Sequence, residues 1–344
     1  METDSTADLI VTDVTPQLVE TVPRLKNSGL FERVITGRTQ EWNRRYAAAK
    51  EAELSEGFAN ADASFRWILD DELTNYETIY FANFDPFTRM LACRFYEHPC
   101  RFIWFEDGFS SYVIDYLRAD RAPINRHPDG GKIREKVTHT LLYEPRLAMR
   151  GDHLPNHALP KIQLGNWEFR ELLNYVFDYR RPEKTPEFLF LEQSFRAEGL
   201  KTNDLELMRE CRQTVGSEKF LVKPHPRNPV NVPFELGLTR RGPEDVPWEL
   251  FLMNEDLQHT AVITVCSNAA LTSRLVFGIH MNTVMLYELF EGKVLWKEDA
   301  VLRRYLHQFY RLHADENYYV PRTIYELRHI LRYLDKQSGK GRIL

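Results

Sequence analysis

What this chain lacks narrows its class before anything it contains. Its four cysteines, Cys93, Cys100, Cys211 and Cys266, form no C-x-x-C pair, and no histidine cluster has zinc-finger spacing. Cys93, Cys100 and Cys266 sit in apolar runs, as small buried hydrophobes do, so reduced thiols in a cytoplasmic protein are expected. The chain lacks a basic excess. With a net charge of −5 it is not built for general nucleic-acid binding, whose affinity comes mostly from positive charge. No apolar run approaches the length of about 20 residues that crosses a bilayer. Met1 to Asp8 is polar and acidic, without the basic-then-apolar order of a secretory signal. A soluble protein follows as the expectation, with peripheral attachment at the inner face of the cell membrane left open. Repeats and low-complexity tracts are absent. So are the phosphate loop G-x-x-x-x-G-K-[ST], the dinucleotide loop G-x-G-x-x-G and any D-x-D triplet. Without D-x-D, a metal-bridged nucleotide diphosphate is disfavoured, and no metal site is expected.

What is present is an alternation. A length of 344 residues suggests two domains, and 43% hydrophobic with 12% aromatic residues can fill their cores. Short apolar runs trade with amphipathic stretches, the pattern of parallel α/β architecture. Strands are predicted at 9–12, 34–36, 78–81 and 102–105, then at 188–191, 220–222, 261–265 and 283–286. The spacing predicts helices over 16–26 (with Pro23 as its weak point), 40–52, 87–96, 110–118, 167–179, 204–215, 268–277, 300–312 and 323–334. Between about 120 and 165 prolines break the periodicity. Only Leu141-Leu142-Tyr143 and Ile162-Gln163-Leu164 read as strands there. Arg180 to Pro186 is charged, with two prolines, and reads as the linker between domains 1–180 and 187–344. The last helix is free to pack back on the first domain. Two successive βα domains imply a cleft, with ligands at the carboxyl ends of the strands.

Three segments carry chemistry. Glu106-Asp107-Gly108 closes the run Phe102 to Phe105, where a carboxylate can reach a substrate hydroxyl as general base. Proximity of the two acids raises one pKa, and Gly108 permits a tight turn. The bland alternative is an acidic cap before the 110–118 helix. Lys223-Pro224-His225-Pro226-Arg227 closes a second strand. Two prolines fix the backbone around His225, which can hydrogen-bond a phosphate and stabilise its departure, and Lys223 adds positive charge. A basic surface loop is the alternative. Third, Ser267-Asn268 joins a strand to a helix, offering unpaired N–H groups and a hydroxyl to a phosphate, or simply an N-cap.

Weaker candidates are Gln193 or Ser194, at the end of the first strand of the second domain, and Glu288, placed to take a ribose hydroxyl. His127, His139, His153, His157 and His259 lack partner spacing and read as structural. The basic pairs Arg44-Arg45, Arg180-Arg181 and Arg240-Arg241 read as solvated surface.

The order [DE]-[DE]-G, then H-P, then Ser-Ser/Thr resembles bacterial sialyltransferases of glycosyltransferase family 52, the lipooligosaccharide sialyltransferases, and the bacterial polysialyltransferases. Here it is Glu106-Asp107-Gly108, His225-Pro226 and Ser267-Asn268, within a resemblance spanning roughly 8–290. Asn268 stands at the second motif position, where its amide can still donate to phosphate. The resemblance implies a GT-B fold, two Rossmann-like domains with mostly parallel sheets facing an interdomain cleft. It implies metal-independent, inverting transfer of sialic acid from CMP-sialic acid to a hydroxyl of a surface glycan, lipooligosaccharide or capsule, with no cofactor. By that analogy Asp107, ahead of Glu106, is the base. His225 and Ser267 contact the CMP phosphate, with Lys223, Pro226, Asn268, Gln193 and Glu288 around the nucleotide. Partners would be the nucleotide-sugar donor and the glycan acceptor, with a homodimer left open. Two competing readings remain: a CDP-glycerol glycerophosphotransferase of wall polymers, and a non-catalytic family member.

Overall fold

The computed structural model describes residues 6–182, 184–228, 230–240, 246–292 and 300–340. Arg241, and Glu183 in the expected linker, lie outside them. The chain is α/β and divides into two compact units, 1–160 and 161–344.

In the first unit, β1 (Asp8–Thr12) and β2 (Arg33–Gly37) form a parallel pair. A second sheet orders β3 (Thr78–Phe81), β4 (Arg101–Phe105), β5 (Val137–Leu142) and β6 (Asn156–Ala158) side by side, all parallel. Phe81, Phe102 and Trp104 on these strands pack with Met90 and Leu91 of the helix Pro86–Arg94, which buries almost every side chain it has, and with Phe95 at its C-cap.

The second unit holds five parallel strands: β7 (Phe188–Leu191), β8 (Phe220–Lys223), β9 (Ala261–Thr264), β10 (Asn282–Met285) and β11 (Tyr318–Tyr319). Their order is β11-β10-β9-β7-β8. All four residues of β7 and of β9 are buried, as expected of strands covered on both faces. The chain runs from β7 to β8 on one side and then places β9 on the other. The order therefore reverses at β7, which makes its carboxyl end the crevice where open α/β sheets take ligands.

Several expectations change in detail. The 16–26 helix is two, Pro16–Val19 and Val22–Asn27, because Pro23 fits the first turn of a new helix and not the interior of an old one. The 40–52 stretch likewise breaks into Thr39–Ala47 and Glu51–Ala59, the second opened by a bond from the Lys50 N–H to Glu53 Oε2 at 2.9 Å. The 110–118 helix is a single turn, Ser110–Val113, since Asp115 turns its side chain onto the Leu117 N–H at 3.0 Å. Leu141 and Leu142 do belong to a strand, whereas Ile162 lies outside the strands, with its N–H bonded to the Val276 carbonyl at 2.8 Å.

The units divide twenty residues ahead of the linker read at 180–186, and that segment is tied to the second unit. Helix Trp167–Val176 packs on Trp248–Asn254. Glu255 accepts from Tyr179 Oη at 2.6 Å, Arg181 Nε at 3.3 Å and Thr185 Oγ1 at 3.4 Å. The last helix, Ile324–Lys340, packs on Asp204–Val215 in its own unit.

Candidate active site

The acidic motif sits where β4 ends. The Glu106 N–H continues the ladder to the Leu141 carbonyl at 3.0 Å, and Gly108 then turns the chain at φ +143°, a conformation that favours glycine. Glu106 Oε2 accepts the Tyr112 hydroxyl and the Tyr143 N–H, the latter at 2.9 Å. Tyr112 is fully buried, and its hydroxyl also receives the Glu144 N–H at 3.2 Å. Burial pushes the Glu106 carboxyl up to about 7, helped by the neighbouring charge of Asp107 and opposed by the Tyr112 and Tyr143 bonds. Asp107 keeps an exposed surface. Its Oδ1 accepts from Ser111 Oγ at 3.1 Å and Ser110 Oγ at 3.3 Å. Desolvation also raises Asp107, against those two hydroxyls. Beneath the turn lies a buried ion pair, Arg150 to Asp152 at 2.9 Å. Arg150 stacks over Trp104 at 4.4 Å and donates to the Ser111 carbonyl, so it braces the turn from inside.

Tyr112, Tyr143 and Arg150 are the part of this cluster that residue spacing did not single out. The signal for Tyr112 was there: Ser-Ser-Tyr directly follows the acidic motif. Tyr143 and Arg150 come close only because β5 is the neighbour of β4.

The second cluster surrounds the end of β7. Buried Glu192 accepts the His225 N–H on Oε2 at 2.9 Å, and its Oε1 lies 2.9 Å from Arg196 as an ion pair without hydrogen-bond alignment. Arg196 also pairs with buried Asp204 at 2.8 Å. Burial raises the Glu192 carboxyl, against the His225 and Asn228 hydrogen bonds and the charge of Arg196. Asn228 accepts from the Ala197 N–H at 3.2 Å and donates to the Gln193 carbonyl at 3.0 Å, closing the histidine loop onto β7.

The His225 ring is half-buried. Its Nδ1 accepts the Arg227 N–H at 3.2 Å, so Nδ1 carries no hydrogen and the neutral ring keeps its proton on Nε2. Nε2 has no hydrogen-bond partner among the described residues. Burial, with the charge of Arg227 added, lowers this imidazole to about 4, so it is neutral at physiological pH. His225 therefore offers an N–H donor and not a ready proton.

On the other flank of β7, Ser267 caps the helix Asn268–Leu275 and accepts the Ala269 N–H at 3.3 Å. The Ser267 N–H donates to Thr264 Oγ1 at 3.2 Å, which in turn holds the Leu191 carbonyl at 2.9 Å. The side-chain oxygen of Asn268 is buried without a partner among the described residues. Gln193 Oε1 accepts the Cys266 N–H at 2.7 Å, tying the two flanks together. Strand spacing of about 4.8 Å puts the ends of β8 and β9 roughly 10 Å apart, with Gln193 between them.

Not every expected residue joins this group. Lys223 donates to the Val246 carbonyl at 2.6 Å, Pro226 is exposed, and exposed Glu288 follows β10, one strand beyond Ser267. Glu192 sequence reasoning passed over in favour of Gln193, because a buried acid at a strand end looks like any other polar residue until its partner loop is known.

A serine–histidine pair elsewhere has another explanation. Ser55 Oγ lies 2.8 Å from His127 Nε2, but His127 Nδ1 accepts the Asp129 N–H at 3.2 Å. The proton is therefore on Nε2, and Ser55 passes its own to the Glu51 carbonyl at 2.9 Å. The pair fixes a loop and has no base to offer. An open hollow of about 420 Å³, lined by Arg170, Tyr179, Arg181 and Glu255, lies away from the strand ends. No group of His, Cys, Asp and Glu among the described residues is arranged to hold a metal ion.

Neither a protein-family model nor a curated protein matches the sequence. Among solved structures, the GT-B domain of a sialyltransferase from Photobacterium damselae is similar over 92% of this chain and 100% of that one. The identity is 12% and the TM-score 0.47.

Proposed function

We propose that this chain is a metal-independent, inverting glycosyltransferase that moves sialic acid from CMP-sialic acid to a hydroxyl of a surface glycan. The observation that carries this reading is the crevice at β7, where a neutral His225 with its Nε2 hydrogen available and the N-terminus of the 268–275 helix flank Gln193. Such a crevice suits a departing phosphate. N–H donors stabilise the charge that develops as the bond from the anomeric carbon to the phosphate oxygen breaks. CMP leaves with the electron pair and needs no full proton, which agrees with an imidazole lowered to about 4. The acceptor oxygen bonds the anomeric carbon from the opposite face, inverting it, and gives up its proton to the acidic motif. Asp107 is the base in this scheme because its carboxylate is the more exposed. Glu106 is held from within by Tyr112 and Tyr143 and sets the local charge. In this scheme the first unit carries the acceptor base and the second holds the nucleotide.

A donor-hydrolysis screen with CMP-, CDP- and UDP-linked substrates tests it. Release of CMP from CMP-sialic acid, a rise in unfolding temperature with CMP, and loss of turnover in Asp107→Ala and His225→Ala are expected. Turnover of CDP-glycerol in place of CMP-sialic acid would point to the wall-polymer transferase instead. No turnover with any donor, together with nucleotide binding unchanged in His225→Ala, would sink the enzyme reading.

A further inference from the structure

The helix Ala300–His313 has two faces of different character. Leu302, Tyr305, Leu306 and Phe309, at spacings of three and four, are buried against the second unit. Arg303, Arg304, His307, Tyr310 and Arg311 come to the outer side and are all exposed. The helix contains no acidic residue. The nearest downstream carboxylate, Asp315, is already engaged by Arg274 and His280. Residues 300–344 carry nine Lys and Arg against four Asp and Glu, in a chain whose net charge is −5. The helix itself thus presents three exposed arginines, Arg303, Arg304 and Arg311, on a protein that is acidic in sum.

We propose that this outer face is a docking surface for an anionic lipid bilayer, independently of the catalytic reading above. Arg304 and Arg311 are seven residues apart, or roughly 10 Å along the axis, so one plane of phosphates meets both together with Arg303. Tyr310, 49% exposed and two turns along the helix from Arg303, has the apolar ring and polar tip that sit well at the headgroup boundary. Screening confines the interaction to about 8 Å at physiological salt, so the arginines nearest the plane dominate it. A nucleic acid that wraps the protein would meet the acidic remainder of the chain as well, which favours the bilayer.

The test is flotation of the full chain with phosphatidylcholine vesicles, with and without phosphatidylglycerol, at low and high salt. Binding only to the phosphatidylglycerol vesicles, and its loss in high salt, is expected. Arg304→Glu with Arg311→Glu should lower partitioning by roughly thirtyfold or more, and Tyr310→Ser should weaken it with no change in charge. The control pair Arg44→Glu with Arg45→Glu makes the same change of net charge on the exposed face of another helix and should bind as the wild type does. Equal loss in the control pair, unchanged binding in the 304/311 pair, equal binding to neutral vesicles, or no binding at all would overturn the proposal. Binding to duplex DNA at least as tight as to the vesicles would do so too. Should the double variant lose its far-UV circular dichroism, Tyr310→Ser and Arg311→Gln decide the matter in the same way.

Discussion

Gln193 Oε1 accepts the backbone N–H of Cys266 at 2.7 Å, one residue ahead of the cap residue Ser267. One side chain just past the end of β7 thereby fixes the turn that leads into the 268–275 helix, and the Gln193 carbonyl holds the histidine loop through Asn228. Replacing Gln193 by Ala strands a buried N–H beside Cys266, at a cost of about 1–3 kcal/mol. The larger expected effect is on binding. In Gln193→Ala the donor KM should rise several-fold while kcat changes less, because the turn is loosened and no group touching the reacting atoms is lost. Steady-state kinetics with CMP-sialic acid, alongside urea unfolding, separates the two. A fall in kcat with KM unchanged would contradict a positioning role.

The tautomer of His225 makes a sharper demand. If the Nε2 hydrogen acts as a donor and not as an acid, an amide of similar reach should replace part of its function. His225→Gln is expected to keep about a tenth of wild-type kcat, and His225→Ala to lose on the order of a hundredfold or more. Equal losses in the two variants would mean that proton transfer, not hydrogen bonding, is what the ring supplies. The lowered imidazole adds a stability signature. Its folded value lies below the unfolded one, so its contribution is present above about 6.5 and lost as pH falls toward 4. His225→Gln should flatten that part of the acid limb.

The parallel α/β class and most strands were legible because buried parallel strands are written as short continuous apolar runs, Phe188 to Leu191 and Ala261 to Thr264 among them. Strand order was not legible. Nothing in the residues around His225 and Ser267 says that β7 lies between β8 and β9, yet that order alone puts Gln193 and Glu192 in the crevice. The region 120–165 was obscure for a different reason. Its helices are single turns started by Pro123 and Pro128, too short to show a period, and β5 emerges after them with an irregular pattern of burial. The long helix read at 110–118 failed on a local contest, in which the Asp115 side chain captured a backbone N–H that a helix would have used.

Glu106 predicts a pH dependence of the opposite sign from that of His225. Its carboxyl is pushed up from 4.5 to about 7, first by burial and then by the charge of Asp107. A folded value above the unfolded one gives a contribution fully present below 4.5 and lost as pH rises through 7. The loss is at most about 3 kcal/mol from the size of the shift, and less in practice because the side chain is only partly buried. Glu106→Gln removes it. The variant should therefore gain stability on the wild type between about pH 5 and about pH 8, read as urea midpoints at the two values. A constant difference across that range would mean that Glu106 does not titrate there.

Arg274 lies on the helix that Ser267 caps, yet it works at the far end. Its side chain is fully buried and grips Asp315 with two bonds, at 2.7 and 2.9 Å. It also donates to the His313 carbonyl at 3.2 Å and the Met281 carbonyl at 3.1 Å, so the helix is pinned to the ends of both flanking segments. Desolvation works against the Asp315 charge, but the Arg274 and His280 bonds prevail and hold that carboxyl well below the usual carboxylate range. Arg274→Met should cost roughly 3 kcal/mol or more, since Asp315 keeps its charge with its main partner gone. The double variant Arg274→Met with Asp315→Leu removes both charges and should recover much of that loss, because desolvation no longer has to be offset. The acid limb gives an independent check. Asp315 stabilises above its unfolded value of 3.8 and loses that contribution as pH falls further, so Arg274→Met should unfold with a shallower acid dependence than the wild type. If the double variant is as unstable as the single, packing around the guanidinium, and not its charge, is what holds the helix in place.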